Sequence, residues 1–277
     1  MEILRIILGA TGLIGSAWMR RQPNSIFVKR DVIENWMFNH KANSLGNFFD
    51  NLPQDKAIEI HFCLGNTNSR ERMDLLMRIN CHWPLEIAKE AMIRNYRIIT
   101  YGSALEDFGI RNNYFESKRA FSNEMRKIET KNLWTNLRLH TLYSDSRPHP
   151  HMFLGQIYSA IQNSTQFNMS SGKQLREFHH VDDDIQIIES ALKLDFSQQI
   201  EISHGKPLEL FNVADYLFES FNSRYLLHVN IYPDDPDENY TKIFLSNLSI
   251  GIEYTREPLS ALKNIFARLL NEERDLQ

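Results

Sequence analysis

The stretch ILRIILGATGLIG, residues 3 to 15, constrains this chain more than any other. Residues 3 to 8 are β-branched or aliphatic apart from Arg5, the composition of a short buried strand. Gly9, Gly12 and Gly15 follow, and SAWMRRQ continues as a helix that Pro23 stops. A strand, a glycine turn and a helix bring backbone N–H groups and a positive dipole end to one point, which suits a pyrophosphate. In such a turn Gly9 allows the tight reversal and Gly12 lets phosphates approach the backbone, while Gly15 packs helix against strand. Leu13 and Ile14, between the last two glycines, belong to the same contact. The bland alternative is a plain strand–helix turn.

A second strand is expected in SIFVKR, residues 25 to 30. In folds of this kind its end meets the adenosine ribose. An acidic residue there would favour NAD, whereas this chain offers Lys29 and Arg30 before Asp31. Two cations suit a 2′-phosphate, so NADP is the expected cofactor and NAD the second choice. Solvent-facing edge charges are the competing reading.

Further strands are expected in AIEIHFCLG (57–65), RIITYGS (97–103) and LWTNLRLHTLY (133–143). Helical stretches lie between them. Strands alternating with helices mean an α/β fold, a doubly wound parallel Rossmann sheet. Ligands in such sheets sit at the carboxyl ends of the strands. Those ends carry Gly9 to Gly15, Arg30, Leu64 to Asn66 with Gly65, Ser103 and His140. Residues 1–150 are assigned to the dinucleotide-binding domain. Residues 151–277 are assigned to a small α/β substrate-binding cap interleaved with it, closed by the amphipathic helix PLSALKNIFARLLNEE.

The net charge of −4 gives no reason to expect nucleic acid or an anionic membrane as partner. No apolar run approaches the length of a membrane span, and no basic, cleavable leader is evident. Cys63, between Phe62 and Leu64, and Cys81 suggest reduced, buried thiols and a cytoplasmic protein. A homodimer is the expected assembly.

YFESK, residues 114 to 118, places a phenol one helical turn before an ammonium. Lys118 shares a helix face with Tyr114, and a nearby ammonium lowers a phenol's pKa from its usual value of about 10. A solvated helix face would also explain the pair.

The order of five blocks resembles the extended short-chain dehydrogenase/reductases, in the NAD-dependent epimerase/dehydratase family that acts on nucleotide sugars. They are GATGLIG, HFCLGN, RINCHWPLEIAKEA, GSALEDFG with YFESKRAF, and GKQLREFHHVDDD. The resemblance implies that Asn80 contacts the cofactor and that Ser103, Tyr114 and Lys118 are the catalytic set. Tyr114 would exchange a proton with a sugar oxygen, Lys118 would also hold the nicotinamide ribose, and Ser103 would bond the substrate oxygen. Leu8 stands where the family usually has Thr, and the stretch around His140 lacks its usual Asn and Gly.

In the late block, Arg176 is expected to clamp the substrate diphosphate, with a surface ion pair as the alternative. VDDD should open a helix. His179, His180 and Asp182 to Asp184 could suggest a metal, but adjacent histidines on a strand point to opposite faces, so no metal site is expected. The leading functional expectation is NADP-dependent reduction of a keto group on a nucleotide-linked deoxysugar, for surface polysaccharide precursors. One alternative is an epimerase or dehydratase with tightly bound NAD, for which Glu106 and Asp107 supply an acidic pair after the serine. The other is a non-catalytic NADP(H) sensor of the same fold.

Overall fold

The apolar run ILRIIL forms a strand, β1 (Ile3–Leu8), whose Ile6, Ile7 and Leu8 are wholly buried. The computed structural model describes residues 2–38, 44–128, 132–194, 199–248 and 254–274. In chain order β1 is followed by α1 (Leu13–Arg21), β2 (Ile26–Val28), α2 (Arg30–Phe38), α3 (Ser44–Asp50), β3 (Ala57–Phe62) and α4 (Met73–Met77). A π turn, Arg78–His82, leads into α5 (Trp83–Ile93), then β4 (Arg97–Ser103), α6 (Asn113–Lys127) and β5 (Trp134–Leu139). The later elements are β6 (Thr141–Tyr143), α7 (Phe153–Asn163), β7 (Phe167–Asn168), β8 (Leu175–Arg176), β9 (Phe178–His180) and α8 (Val181–Leu192). They end with β10 (Gln199–Glu201), β11 (Leu208–Glu209), α9 (Leu210–Ser220), β12 (Leu227–His228) and α10 (Pro258–Arg274).

The chain divides into two compact units. The first comprises Met1–Leu139, Ile185–Ile202 and Asn247–Ile250; the second comprises His140–Asp184, Ser203–Ser246 and Gly251–Gln277.

The first unit is built on a six-stranded sheet in the order β10-β5-β4-β3-β1-β2, parallel throughout. This is the expected α/β Rossmann-like fold. The strand order reverses at β1, which pairs with β2 on one side and β3 on the other. In open parallel sheets that reversal marks the ligand crevice. Ile58, Ile60 and Phe62 of β3 pack in one core cluster with Ile87, Ala88 and Ala91 of α5 and with Phe121 and Met125 of α6.

A polar line runs through the same sheet. Glu59 lies across from Arg5 on β1 and Arg97 on β4. Its carboxylate bonds Arg5 at 2.9 Å and the buried His61 at 2.9 Å, with Arg97 at 3.5 Å. His61 Nδ1 accepts from the Tyr101 hydroxyl at 2.7 Å, and that oxygen accepts from Trp18 Nε1 at 2.6 Å. Burial alone would raise the Glu59 carboxyl, but the His61 hydrogen bond and the two guanidiniums outweigh it and hold the group at about 2.

Three strand expectations differ in extent. β2 is only Ile26–Val28, because Arg30 already belongs to α2. β3 stops at Phe62. LWTNLRLHTLY is two strands: β5 closes against β4, while β6 pairs with β9 in a separate two-stranded sheet, with His140 between them. The second unit packs Leu154, Ile157 and Tyr158 of α7 with Val213, Leu217 and Phe218 of α9 and Leu262, Ile265 and Phe266 of α10.

Candidate active site

The glycine turn is tight for reasons visible in its geometry. Gly9 has φ 87°, and a Cβ there would stand 2.6 Å from the Cys63 carbonyl oxygen. A Cβ on Gly15 would stand 2.3 Å from the Gly9 carbonyl oxygen. Gly12 differs. Its φ of −75° and ψ of 172° suit any residue, and a Cβ would meet only ordinary contacts at 3.4 and 3.7 Å. The protein therefore has no internal need for glycine at position 12. Glycine there leaves the backbone at the start of α1 open, which would let a pyrophosphate approach it. No side chain caps α1. Leu13 is 41% exposed there, with Ile14 half-buried behind it.

Across the turn lies the loop after β3. Gly9 bonds the Val28 carbonyl through its N–H at 2.9 Å, while Leu64 is half-buried and Gly65, with φ 153°, is exposed. Asn80, in the π turn, holds this loop. Its Oδ1 accepts from Asn66 N at 2.8 Å and its Nδ2 donates to Asn66 O at 3.0 Å. The same Nδ2 donates to Ser117 Oγ at 2.9 Å, and Ser117 in turn donates to the Tyr114 carbonyl at 2.7 Å. π turns recur at functional sites. Here one amide joins the β3 loop to the Tyr114 helix, and its carbonyl oxygen serves Asn66.

The helix α6 starts at Asn113 because the Asn112 side chain accepts from Phe115 N at 3.0 Å. Tyr114 and Lys118 are both half-buried on it. The Lys118 ammonium donates to the Tyr101 carbonyl at 2.7 Å. Burial, reinforced by the charge of Glu106, raises the Tyr114 phenol above its ordinary value. The sequence led us to expect lowering by Lys118; burial wins, so the phenol keeps its proton at neutral pH. Burial lowers the Lys118 ammonium, with Glu106 acting against it.

Ser103 ends β4, where its Oγ accepts from Leu105 N at 3.3 Å. Sequence reasoning missed the clamp around it. Arg138, 1% exposed in the middle of the apolar β5, forms ion pairs with Glu106 and, at 2.7 Å, with Asp107. Its Nη1 also donates to the Ser103 carbonyl at 3.2 Å. Glu106 is fully buried, accepting from Ser103 N at 3.3 Å and from the Ser122 hydroxyl. A buried arginine must be paired, and an Arg inside LWTNLRLH was the available signal. The acidic pair read as dehydratase chemistry is thus engaged by one guanidinium.

Within the first unit the structure brings together Gly9, Gly12, Leu13, Ile14 and Gly15 at one end of β1, with Asn80, Ser103, Tyr114 and Lys118 tied to neighbouring strand ends. Lys29 and Arg30 are exposed, and Arg30 pairs with Glu34 on its own helix at 2.8 Å. Arg176 and His140 belong to the second unit. Arg176 pairs with Glu238, and the His140 ring lies 5.2 Å from that of His179 and 5.3 Å from that of Phe244. No described helix is long and apolar enough to cross a membrane.

The chain resembles known proteins mainly through its fold. The dTDP-glucose 4,6-dehydratase of Streptomyces venezuelae, solved with NAD bound, superposes with a TM-score of 0.77 at 16% identity, covering 100% of this chain and 98% of that one. The UDP-glucose 4-epimerase of Thermotoga maritima, solved with UDP-glucose, gives 0.76 at 12% identity with both chains fully covered. A UDP-N-acetylglucosamine 4-epimerase from Methanobrevibacter ruminantium gives 0.75 at 13%, covering 98% of this chain and 100% of that one. No curated protein matches the sequence. The profile of the NAD dependent epimerase/dehydratase family matches residues 5–202. With most of the chain so matched, and with the glycine turn and parallel sheet that the match requires, the chain belongs to the NAD dependent epimerase/dehydratase family.

Proposed function

We propose that this chain is an NAD-dependent enzyme that inverts a carbon of a nucleotide sugar by removing hydride and returning it. The observation that carries the reading is the Asn80 linkage, which ties the loop beside the glycine turn to the helix bearing Tyr114 and Lys118. A bound dinucleotide would supply the hydride acceptor. Tyr114 would act as phenolate, accepting the sugar hydroxyl proton as hydride leaves and giving it back as hydride returns. The positive charges of Lys118 and of an oxidised nicotinamide would favour that phenolate against the burial that otherwise holds the proton. Ser103, steadied by Arg138 and Glu106, orients the reacting sugar oxygen. Lys118 orients the nicotinamide ribose from its anchor on the Tyr101 carbonyl.

Two observations favour inversion over the other chemistries of the family. Glu106 and Asp107 are both paired with Arg138, which gives the two acids a structural role in place of the one a dehydratase would need. Arg30 is bound to Glu34, which weakens the case for a 2′-phosphate clamp and for NADP. The similar solved structures include nucleotide-sugar 4-epimerases and dTDP-glucose 4,6-dehydratases alike, so the preference for inversion rests on the ion pairs of Arg138 and of Arg30. A second reading, NADP-dependent reduction of a keto-sugar, draws on the exposed Lys29 beside Arg30.

The test is native purification followed by mass analysis of retained small molecules, then incubation with UDP-glucose and UDP-N-acetylglucosamine. Retained NAD and inversion at one sugar carbon are expected. Tyr114→Phe should still bind NAD while turnover falls about a hundredfold to ten-thousandfold. Consumption of NADPH with a keto-sugar, without retained NAD, would decide for the reductase; near-normal turnover in Tyr114→Phe would remove Tyr114 from the mechanism.

A further inference from the structure

The second unit holds a cluster that the reading above does not use. His179 and His180 point to opposite sides of β9, as neighbouring strand residues must. His180 packs on Tyr143, whereas His179 faces Glu177, Asp184, His204 and Tyr254. Glu177 and His179 are wholly buried, and the His204 side chain is 13% exposed.

The distances have a pattern. His179 Nε2 lies 3.1 Å from Glu177 Oε2, and the same oxygen lies 3.3 Å from His204 Nδ1. His204 Nδ1 already accepts the Lys206 N–H at 3.0 Å. A ring nitrogen that accepts carries no proton of its own. The carboxylate oxygen, which also accepts the His204 backbone N–H at 2.9 Å, and this nitrogen face each other as two acceptors; a cation bound between them would take over the Nδ1 lone pair from the Lys206 N–H. One ligand atom from each of Glu177, His179 and His204 lies within 4.8 Å of the others. Zinc binds imidazole nitrogen and carboxylate oxygen at about 2.0–2.2 Å, so a tetrahedron of such bonds spaces its ligand atoms by roughly 3.3–3.5 Å. The two separations of 3.1 and 3.3 Å need little adjustment to match.

The surroundings are those of a supported site. Asp184 Oδ1 lies 2.9 Å from His179 Nδ1, the carboxylate that orients a ligating imidazole. Ser203 Oγ donates to the other Glu177 oxygen at 2.8 Å. The exposed edge of His204 gives a way in. The His140 ring sits 5.2 Å from that of His179.

We propose that Glu177, His179 and His204 form a binding site for a divalent transition metal, with Zn²⁺ the ion that suits two imidazoles and a carboxylate. Without metal, His179 donates from both ring nitrogens, to Asp184 and to Glu177. The ion replaces the Nε2 proton, which leaves to the buffer. Uptake therefore releases one proton and strengthens as pH rises.

The experiment uses the full chain, stripped with a chelator and then titrated with Zn²⁺ by calorimetry in two buffers of different ionisation enthalpy. His149 and His151 are exposed neighbours with ring centroids 5.1 Å apart, a ready adventitious site. The titration is therefore run in a His149→Ala/His151→Ala background. One Zn²⁺ per chain, about one proton released, and the visible bands of four-coordinate Co²⁺ are expected. His204→Gln, at the partly exposed position, should weaken binding by at least about tenfold. The proposal is overturned by absence of stoichiometric binding, by binding that disappears with His149 and His151, or by unchanged affinity in His204→Gln.

Discussion

Gly12 and Gly15 lie in one turn but answer to different demands, and replacing each with alanine separates them. At Gly12 the backbone angles are open to alanine, and the added methyl group would meet protein atoms no closer than 3.4 Å. Stability of Gly12→Ala should stay within about 1 kcal/mol of the parent, since the substitution also restricts the unfolded chain. The methyl group occupies the approach to the first turn of α1. Loss of one hydrogen bond to a charged phosphate is worth about 1.5–3 kcal/mol, so NAD should bind about tenfold to a hundredfold more weakly. At Gly15 the methyl group would overlap the Gly9 carbonyl oxygen at 2.3 Å and the Ala10 Cα at 2.8 Å. Both are backbone atoms, so the strand–helix turn must shift. Overpacking of this kind costs about 1–3 kcal/mol, or roughly 2–10 °C in melting temperature for a chain of this size. Calorimetric NAD titration and thermal melts of both variants give the answer. A Gly12→Ala protein that binds NAD like the parent, or melts as low as Gly15→Ala, would refute the reasoning.

The Glu59 carboxyl, held at about 2 in the folded protein against 4.5 ordinarily, stabilises the fold above its unfolded value. That contribution, of order 3 kcal/mol, should fade as pH falls from about 5 toward 2; Glu59→Gln should flatten this part of the stability–pH curve, and an unchanged curve would dismiss the carboxylate. Arg138→Met strands the buried Glu106 and should cost about 3–5 kcal/mol, most of it recovered in Arg138→Met/Glu106→Gln; a double variant no more stable than the single would show that the packing of Arg138 matters more than its charge. Asn80→Asp removes both amide donors to Asn66 O and Ser117 Oγ, so the melting temperature and NAD affinity should fall together, and a loss of neither would remove Asn80 from the site.

The strand–glycine–helix start was legible because each of its signals is local: β-branched residues, glycine spacing and a stop at Pro23. The Tyr114 helix was legible in part for the same reason, from the one-turn spacing of Tyr114 and Lys118. What escaped depends on partners distant in sequence. Arg138 reads as an oddity inside a strand until Glu106, 1% and 0% exposed respectively, is found beside it. The split of residues 133–143 into two strands is set by a change of pairing partner at His140, not by composition. The Tyr114 phenol was read from its nearest cation, whereas burial and Glu106 decide its protonation. Likewise His179 was weighed with its sequence neighbours, while the groups it meets include His204 and Tyr254.

The π turn at Arg78–His82 carries a consequence for the length of the chain. A π turn seats one residue more than an α turn, and each residue of an α-helix rotates its side chain by roughly 100°. Asn80 is aimed from within this turn, whereas Ile87, Ala88 and Ala91 are aimed into the core from the helix after it. The two directions belong to different phases of one rod. Deleting a single residue from the turn would bring them into a common phase, and one half would have to swing. Either the Asn80 amide would leave Asn66 and Ser117, or three core residues would leave the sheet. The number of residues in that turn, and not only their identity, is part of what makes the site.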